Sequence, residues 1–131
     1  MKQSQFKFSK PVIDQIEYNV KSKCDISKLS GRQISFGTNT EIELSEDEKK
    51  AIVKLIIQVF DTEDFPFIIN MTMSTKVSWE DDIPDNMRDS ILNNNVPATI
   101  LSYARPIISM ITSYSHYKSF DIPFLDFRDN N

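Results

Sequence analysis

Cysteine, histidine and glycine are scarce in this chain of 131 residues. The single cysteine, Cys24, excludes a disulfide framework and a zinc site built from several thiolates. The single histidine, His116, leaves few routes to metal binding or acid–base catalysis. The two glycines exclude a collagen-like chain and fit neither a phosphate-binding loop nor a dinucleotide fingerprint. We therefore expect no metal site and no cofactor.

Positive charge and long apolar runs are also in short supply. Fifteen basic residues against 19 acidic ones give a net charge of −4, which argues against a nucleic-acid surface. No apolar run approaches the roughly 20 residues that a membrane helix needs. Residues 1–5 are not followed by the apolar segment of a signal peptide. The length fits one domain. We expect a single cytoplasmic domain, 1–131, with no nucleic acid and no membrane insertion.

Four segments have the patterns typical of β-strands. Apolar and polar residues alternate in Val12–Val20, in 33–44 and in 65–79, the last being the cleanest pattern in the chain. Segment 50–60 is apolar on both faces and rich in β-branched residues, which favours a strand buried on two sides. Ser45 and Glu48 form the capping-box signature of a helix, but we interpret 46–49 as a turn before that strand.

Two residues interrupt the predicted strands. Asp14 breaks the apolar face of the first strand, a face shared by Val12, Ile16, Tyr18 and Val20. Gly37, in the middle of the second strand, predicts a β-bulge or a close approach of another backbone.

Helical spacing follows the last strand. Segment 85–95 predicts a short helix with Asp85 as its N-cap. Segment 99–115 predicts the main helix, which Pro106 either kinks or shortens so that it begins near Ser102. Strands followed by helices predict an α+β fold. We expect a four-stranded antiparallel sheet with one long helix, plus a short preceding helix, packed on one face.

Two groups of residues suggest catalysis. Asp81, Asp82 and Asp85 have the spacing of a DDxxD motif that holds magnesium, which keeps an enzyme hypothesis open. The proline between them breaks the helix that would align the carboxylates, so we interpret the segment as a solvated acidic turn. A nucleophile–base pair of Cys24 and His116 lacks an identifiable orienting group. We predict that the chain is not an enzyme.

Aromatic residues and methionine are abundant, with nine Phe, four Tyr, one Trp and five Met. Such side chains suit surfaces that bind variable apolar partners. They also fill small cores or oligomer interfaces, and composition alone favours that second explanation.

Segment 96–105, Val-Pro-Ala-Thr-Ile-Leu-Ser-Tyr-Ala-Arg, resembles the signature of the SecB export-chaperone family. In that family a proline-containing turn leads into a helix that carries Tyr-Ala-Arg. The match continues through 108–111, and segment 120–127 is similar to the family's Leu-x-Leu-x-Pro-x-Asn-Phe ending. The preceding strands resemble the family by pattern and order.

The resemblance implies ATP-independent holding of unfolded or aggregation-prone polypeptides, with a role in protein export. It also implies a homo-oligomer, in which dimers pair into a tetramer with helices between sheets. Exposed apolar grooves and unpaired strand edges capture extended chains. The candidate client-binding residues are Phe36, Tyr103, Phe120, Phe124 and Phe127. For Arg105, at the family's arginine, we expect a salt bridge at the start of the helix.

The chain departs from the family pattern at four places. These are Pro106 in the helix, Ser115 in place of a glycine, Pro123 one position early, and an end at Asn131 without most of the second helix and long tail. Asn70 stands at a sheet-face acid used to dock the translocation motor, which puts that partner in question. These losses favour an alternative function, a dedicated module for one partner such as the antitoxin of a toxin–antitoxin pair.

Overall fold

One antiparallel sheet organises the protein. The computed structural model describes residues 6–25, 35–80 and 82–130. The strands are β1 (Phe6–Phe8), β2 (Val12–Val20), β3 (Phe36–Ser45), β4 (Lys50–Val59) and β5 (Phe67–Trp79). Strands β4 and β5 lie in the middle, β3 forms one edge, and β1 and β2 pair in succession with the other side of β5. The predicted α+β class is confirmed, with a fifth, short strand added at the start.

The two central strands supply most of the core because alternate residues point to the same side of the sheet. On β4 the buried side chains include Val53, Leu55 and Ile57, and on β5 they include Met71 and Met73. The opposite side, which we call the open face, carries half-buried or exposed residues at most of the intervening positions. The predicted turn at 46–49 is confirmed, since the Lys49 amide donates to the Glu46 carbonyl.

The helical segments cover the other side of the sheet. Helix α1 (Asp85–Ser90) runs through a π-helical turn (Ile91–Asn95) directly into helix α2 (Val96–Ser113). Asp85 is the first residue of α1 rather than its cap. In α2 the side chains of Ile100, Ala104 and Ile108, one turn apart, are completely buried. None of the described helices is long and apolar enough to cross a membrane.

Pro106 does not shorten the main helix, so the prediction of a start near Ser102 is wrong. Helix α2 begins at Val96, with Pro97 in its first turn, where proline's fixed φ and missing N–H are harmless. Pro106 lies on the exposed side of the helix. The helix is held against the sheet by its buried side chains, which compensates for the one backbone hydrogen bond that Pro106 removes.

Two predictions about the strands also need correction. The pairing of β2 with β5 shifts between Ile13 and Gln15, because Asp14 is the extra residue of a β-bulge. The shift places Ile13, rather than Val12, on the same side as Ile16 and the remaining apolar residues of the strand. Conversely, the pairing of β3 with β4 runs without interruption past Gly37, so no bulge exists there.

Candidate functional site

The chain after α2 folds back over one side of that helix, and we call residues 118–130 the tail. Its first anchor is the completely buried hydroxyl of Thr112, which accepts a hydrogen bond from the Phe120 amide at 2.9 Å and donates to the Ile108 carbonyl at 2.7 Å. The Phe120 ring packs edge-on against Phe65, with ring centroids 5.1 Å apart. Ile122 is completely buried. The start of the tail is therefore part of the hydrophobic core.

Arg105 is the second anchor of the tail. Its Nε donates to the Ile122 carbonyl at 2.8 Å, and its guanidinium lies 3.7 Å from the centre of the Phe124 ring. The expected salt bridge of Arg105 is wrong, because a carbonyl and an aromatic ring are its partners. The Phe124 ring stays 83% exposed. This arginine thus presents an aromatic side chain to solvent at a fixed position.

Two cavities lie beside the tail, one of them against the β3 edge, and we call the pair the β3–tail groove. It consists of two cavities of about 470 and 460 Å³ that share residues 125–127 of the tail. The first cavity is bounded by residues 36–40 of β3 and by Asn93 of the π-helical turn. The second is bounded by Asn94, Asn95, Ala98, Phe124 and Arg128.

Within residues 6–25, 35–80 and 82–130, no strand pairs with the outer side of β3. The Phe60 amide donates to the Ser35 carbonyl at 2.9 Å, so Ser35 and Phe60 are a hydrogen-bonded pair in the register of β3 with β4. In an antiparallel pair the residues alternate between facing the partner and facing away. Ser35, Gly37 and Asn39 therefore bond to β4, whereas the amides and carbonyls of Phe36, Thr38 and Thr40 point outward at the groove.

The polar side chains of the groove differ in their hydrogen bonding. Arg128 donates from both its backbone and its side chain to Asp126, and these hydrogen bonds lower the pKa of that carboxyl. The Asn94 amide nitrogen lies 3.4 Å from the Ser90 hydroxyl, yet its buried carbonyl oxygen has no hydrogen-bond partner in the part of the chain that the structure describes. A π-helical turn places this asparagine, and such turns recur at functional sites.

The structure brings three of the five candidate client-binding residues together. Phe36, Phe124 and Phe127 all line the β3–tail groove, although the Phe127 ring is only 5% exposed. Phe120 is buried in the core, and Tyr103, 46% exposed, lies on a different side of α2. Their role in binding clients stays a prediction.

Sequence reasoning missed the polar side of the groove. Asn93 and Asn94 carried no signal beyond a run of three asparagines, which is typical of a loop, and here the run forms a π-helical turn. The outward backbone groups of Thr38 and Thr40 become apparent only from the strand pairing.

A second apolar surface lies on α2, on the side away from the tail. Tyr103, Ile107, Met110 and Tyr114 follow a spacing of four, three and four residues, so they form one stripe. Met110 is 55% exposed and Tyr114 is 87% exposed. We call this stripe the bare flank. It adjoins the β2 edge, because the Tyr18 hydroxyl donates to the Ile111 carbonyl at 3.3 Å, and burial raises the pKa of that phenol.

Two carboxylates of the catalytic hypotheses form ion pairs. Asp82 forms an ion pair with Lys49 at 3.3 Å and Asp85 one with Arg88 at 3.4 Å, while Asp81 lies outside the described residues. The Cys24 sulfur lies 3.9 Å from the Glu63 carbonyl, and His116 is exposed. No hydrogen bond joins these two described residues, so the geometry shows no nucleophile–base pair.

The fold of this chain is similar to that of a solved chaperone. A SecB-like chaperone from Mycobacterium tuberculosis, in complex with a ChAD peptide from the HigA1 antitoxin, superposes with a TM-score of 0.70. The alignment covers 93% of this chain and 91% of that one, at 11% sequence identity. The chain has a SecB-like fold.

A second solved structure is also similar to this chain in fold. A protein of unknown function from Streptococcus agalactiae superposes with a TM-score of 0.57 over 91% of this chain and 97% of that one, at 12% identity. No protein-family model and no curated protein matches the sequence. The likeness is therefore one of fold, carried by the order of the strands and the helix behind them.

Proposed function

We propose that this protein is an ATP-independent chaperone that holds non-native polypeptides in the β3–tail groove. The observation that carries the proposal is the β3 edge, whose outward amides and carbonyls border a groove that also presents aromatic rings. The SecB-like fold supports the same class of function. No catalytic step is part of this proposal.

The physical basis is β-strand addition. An extended segment of a client pairs with the backbone of Phe36, Thr38 and Thr40, and these hydrogen bonds do not depend on the client's sequence. Apolar client side chains then bury against Phe36 and Phe124. Flat aromatic rings accept many shapes, so the groove has low sequence selectivity. The net charge of −4 keeps a protein with such exposed surface soluble.

A proline substitution on the β3 edge tests the proposal. Thr40→Pro removes an amide that points away from β4, so the β3–β4 ladder keeps its hydrogen bonds while the edge loses a donor. We expect this variant to lose most of its suppression of aggregation of a chemically unfolded client. Light scattering at equimolar client measures the effect.

The matched control is Thr40→Val, which keeps the amide and the β-branched shape. It retains suppression if backbone pairing is what captures the client. A second variant, Phe124→Ser, removes an exposed ring without touching the core and weakens binding by a smaller factor. Full activity in folded Thr40→Pro, verified by circular dichroism, would contradict capture at this edge.

We also propose that the chain acts as a homo-oligomer through the bare flank. Its stripe of four apolar side chains has the spacing of a helix-packing seam, and three of them, Tyr103, Met110 and Tyr114, are exposed in the single chain. Met110→Lys places a charge in the middle of that seam and shifts the protein toward monomer in sedimentation velocity. Ser102→Lys, at an exposed position off the stripe, is the control and leaves the assembly unchanged.

A dedicated partner is the second candidate function. A chaperone of similar fold is complexed with an antitoxin peptide, and this observation supports the alternative of one antitoxin-like client. A dedicated module binds one short segment tightly and competes poorly for generic unfolded protein. Isothermal titration with a peptide from a neighbouring gene product, against an unfolded model client, distinguishes the two functions.

A further inference from the structure

The open face of the sheet carries a second concave surface, on the side opposite α2. A depression of about 710 Å³ lies over the ends of β1, β3, β4 and β5, next to the β3–β4 turn. Residues paired across the strands form its two rows. The first row runs Ser45, Lys50, Ser78 and Lys7, and the second contains Glu43, Ile52 and Lys76.

Three lysines of this region have no ion-pair partner among the residues that the structure describes. They are Lys50 and Lys54 on β4 and Lys76 on β5, all on the open face. Lys7, by contrast, is engaged with Glu80 at 3.2 Å. Unpaired ammonium groups on one small surface repel one another, and an anionic partner would relieve that repulsion.

The spacing of the three lysines is regular. Lys76 pairs across the sheet with Ile52, which lies midway between Lys50 and Lys54. Their positions along the strand direction therefore advance by about 6.6 Å at each step, because a strand rises about 3.3 Å per residue. An extended peptide presents the side chains of alternate residues at the same interval. A single small anion would reach only part of this row of charges.

Acidic residues border the row along β3 and at the β3–β4 turn, where Glu48 lines the depression. Glu41 lies opposite Lys54, and Glu43 lies opposite Ile52, both on the edge strand β3. Their charge disfavours an acidic peptide over β3 and directs it toward β4 and β5. The hydroxyls of Ser45 and Ser78 lie beside Lys50 and are able to donate to carboxylates.

We infer that the open face around Lys50, Lys54 and Lys76 is a docking surface for an extended acidic segment of a partner protein, with carboxylates at alternate residues. Ile52, half-buried between the lysines, contacts the apolar part of that segment. This surface lies on the other side of the sheet from the β3–tail groove, so the inference does not rest on client capture.

A synthetic peptide tests this inference directly. The probe is a fluorescein-labelled peptide of four Glu-Ser repeats, and its uncharged counterpart has four Gln-Ser repeats. We expect the acidic peptide to bind about tenfold more tightly in fluorescence anisotropy at low salt, with affinity falling as salt increases. Equal affinity of the two peptides would overturn the inference.

Two double variants distinguish binding at this surface from attraction by the overall charge of the protein. Lys50→Gln with Lys76→Gln removes two charges of the row and should lower the affinity for the acidic peptide about tenfold. Lys23→Gln with Lys118→Gln removes the same net charge at exposed positions elsewhere, and we expect less than a twofold change. Equal losses in the two variants would show only general electrostatic attraction and would overturn the inference.

Discussion

The two sides of helix α2 differ in what they contact: one binds the tail and the other faces solvent. On one side Arg105 and Thr112 bind the tail, and the buried Ile122 completes the core. On the other side Met110 and Tyr114 of the bare flank face solvent. The comparison shows that about half of this helix stabilises the single chain, while the remainder stays available for association.

We expect the largest loss of stability from a substitution on the side of α2 that the tail covers. Ile122→Ala removes a completely buried side chain and should lower the free energy of unfolding by about 2–4 kcal/mol. Met110→Ala, on the bare flank, should change the stability of the monomer by no more than about 0.5 kcal/mol. Urea denaturation of dilute protein measures both values. Similar losses for the two variants would mean that the bare flank is as much a part of the folded core as the tail.

A smaller effect is expected from the hydroxyl that fixes the tail. Thr112→Val keeps the shape of the side chain but leaves the buried Phe120 amide without an acceptor, at a cost of about 1–3 kcal/mol. Thr112→Ser keeps the hydroxyl and is the control for that hydrogen bond. Hydrogen exchange at the Phe120 amide reports the change locally. Unchanged protection in Thr112→Val would show that this bond does not hold the tail.

The smallest effect concerns pH at the far end of the tail. Hydrogen bonds from Arg128 lower the native pKa of Asp126, so the pair is intact above the ordinary aspartate pKa of about 3.9. It is lost as the pH falls through the lowered native value, which gives a local change without global unfolding. Carboxyl NMR titration should find the lowered pKa, and Arg128→Gln should raise it. An unchanged pKa in that variant would assign the shift to another cause.

The strands were predictable because their patterns are long and simple. Segment 65–79 alternates over its whole length, and the buried positions of β5 from Phe67 to Trp79 follow that alternation. In β2 the faces of Ile16, Tyr18 and Val20 were predicted correctly, whereas Val12 and Ile13 were exchanged because the bulge at Asp14 shifts the phase of the strand before it. Strand pairing, which decides that shift, is a tertiary property.

The candidate site was harder to predict than the fold. The tail has too little periodicity to distinguish a buried ring from an exposed one, so Phe120 and Phe124 looked equivalent although one packs in the core and the other stacks on Arg105. The unpaired edge of β3 depends on which strand lies beside it, and sequence alone does not establish that order.

The bulge at Asp14 separates the alternation of the strand into two independent phases. Deleting this one residue would remove the bulge and make the pairing of β2 with β5 continuous. Ile13 would still lie opposite Met73, on the same side of the sheet as Ile16, and the contact of Phe6 in β1 with Trp79 at 5.7 Å would be kept. The bulge is thus what allows the strand to carry one additional residue without exchanging its two faces.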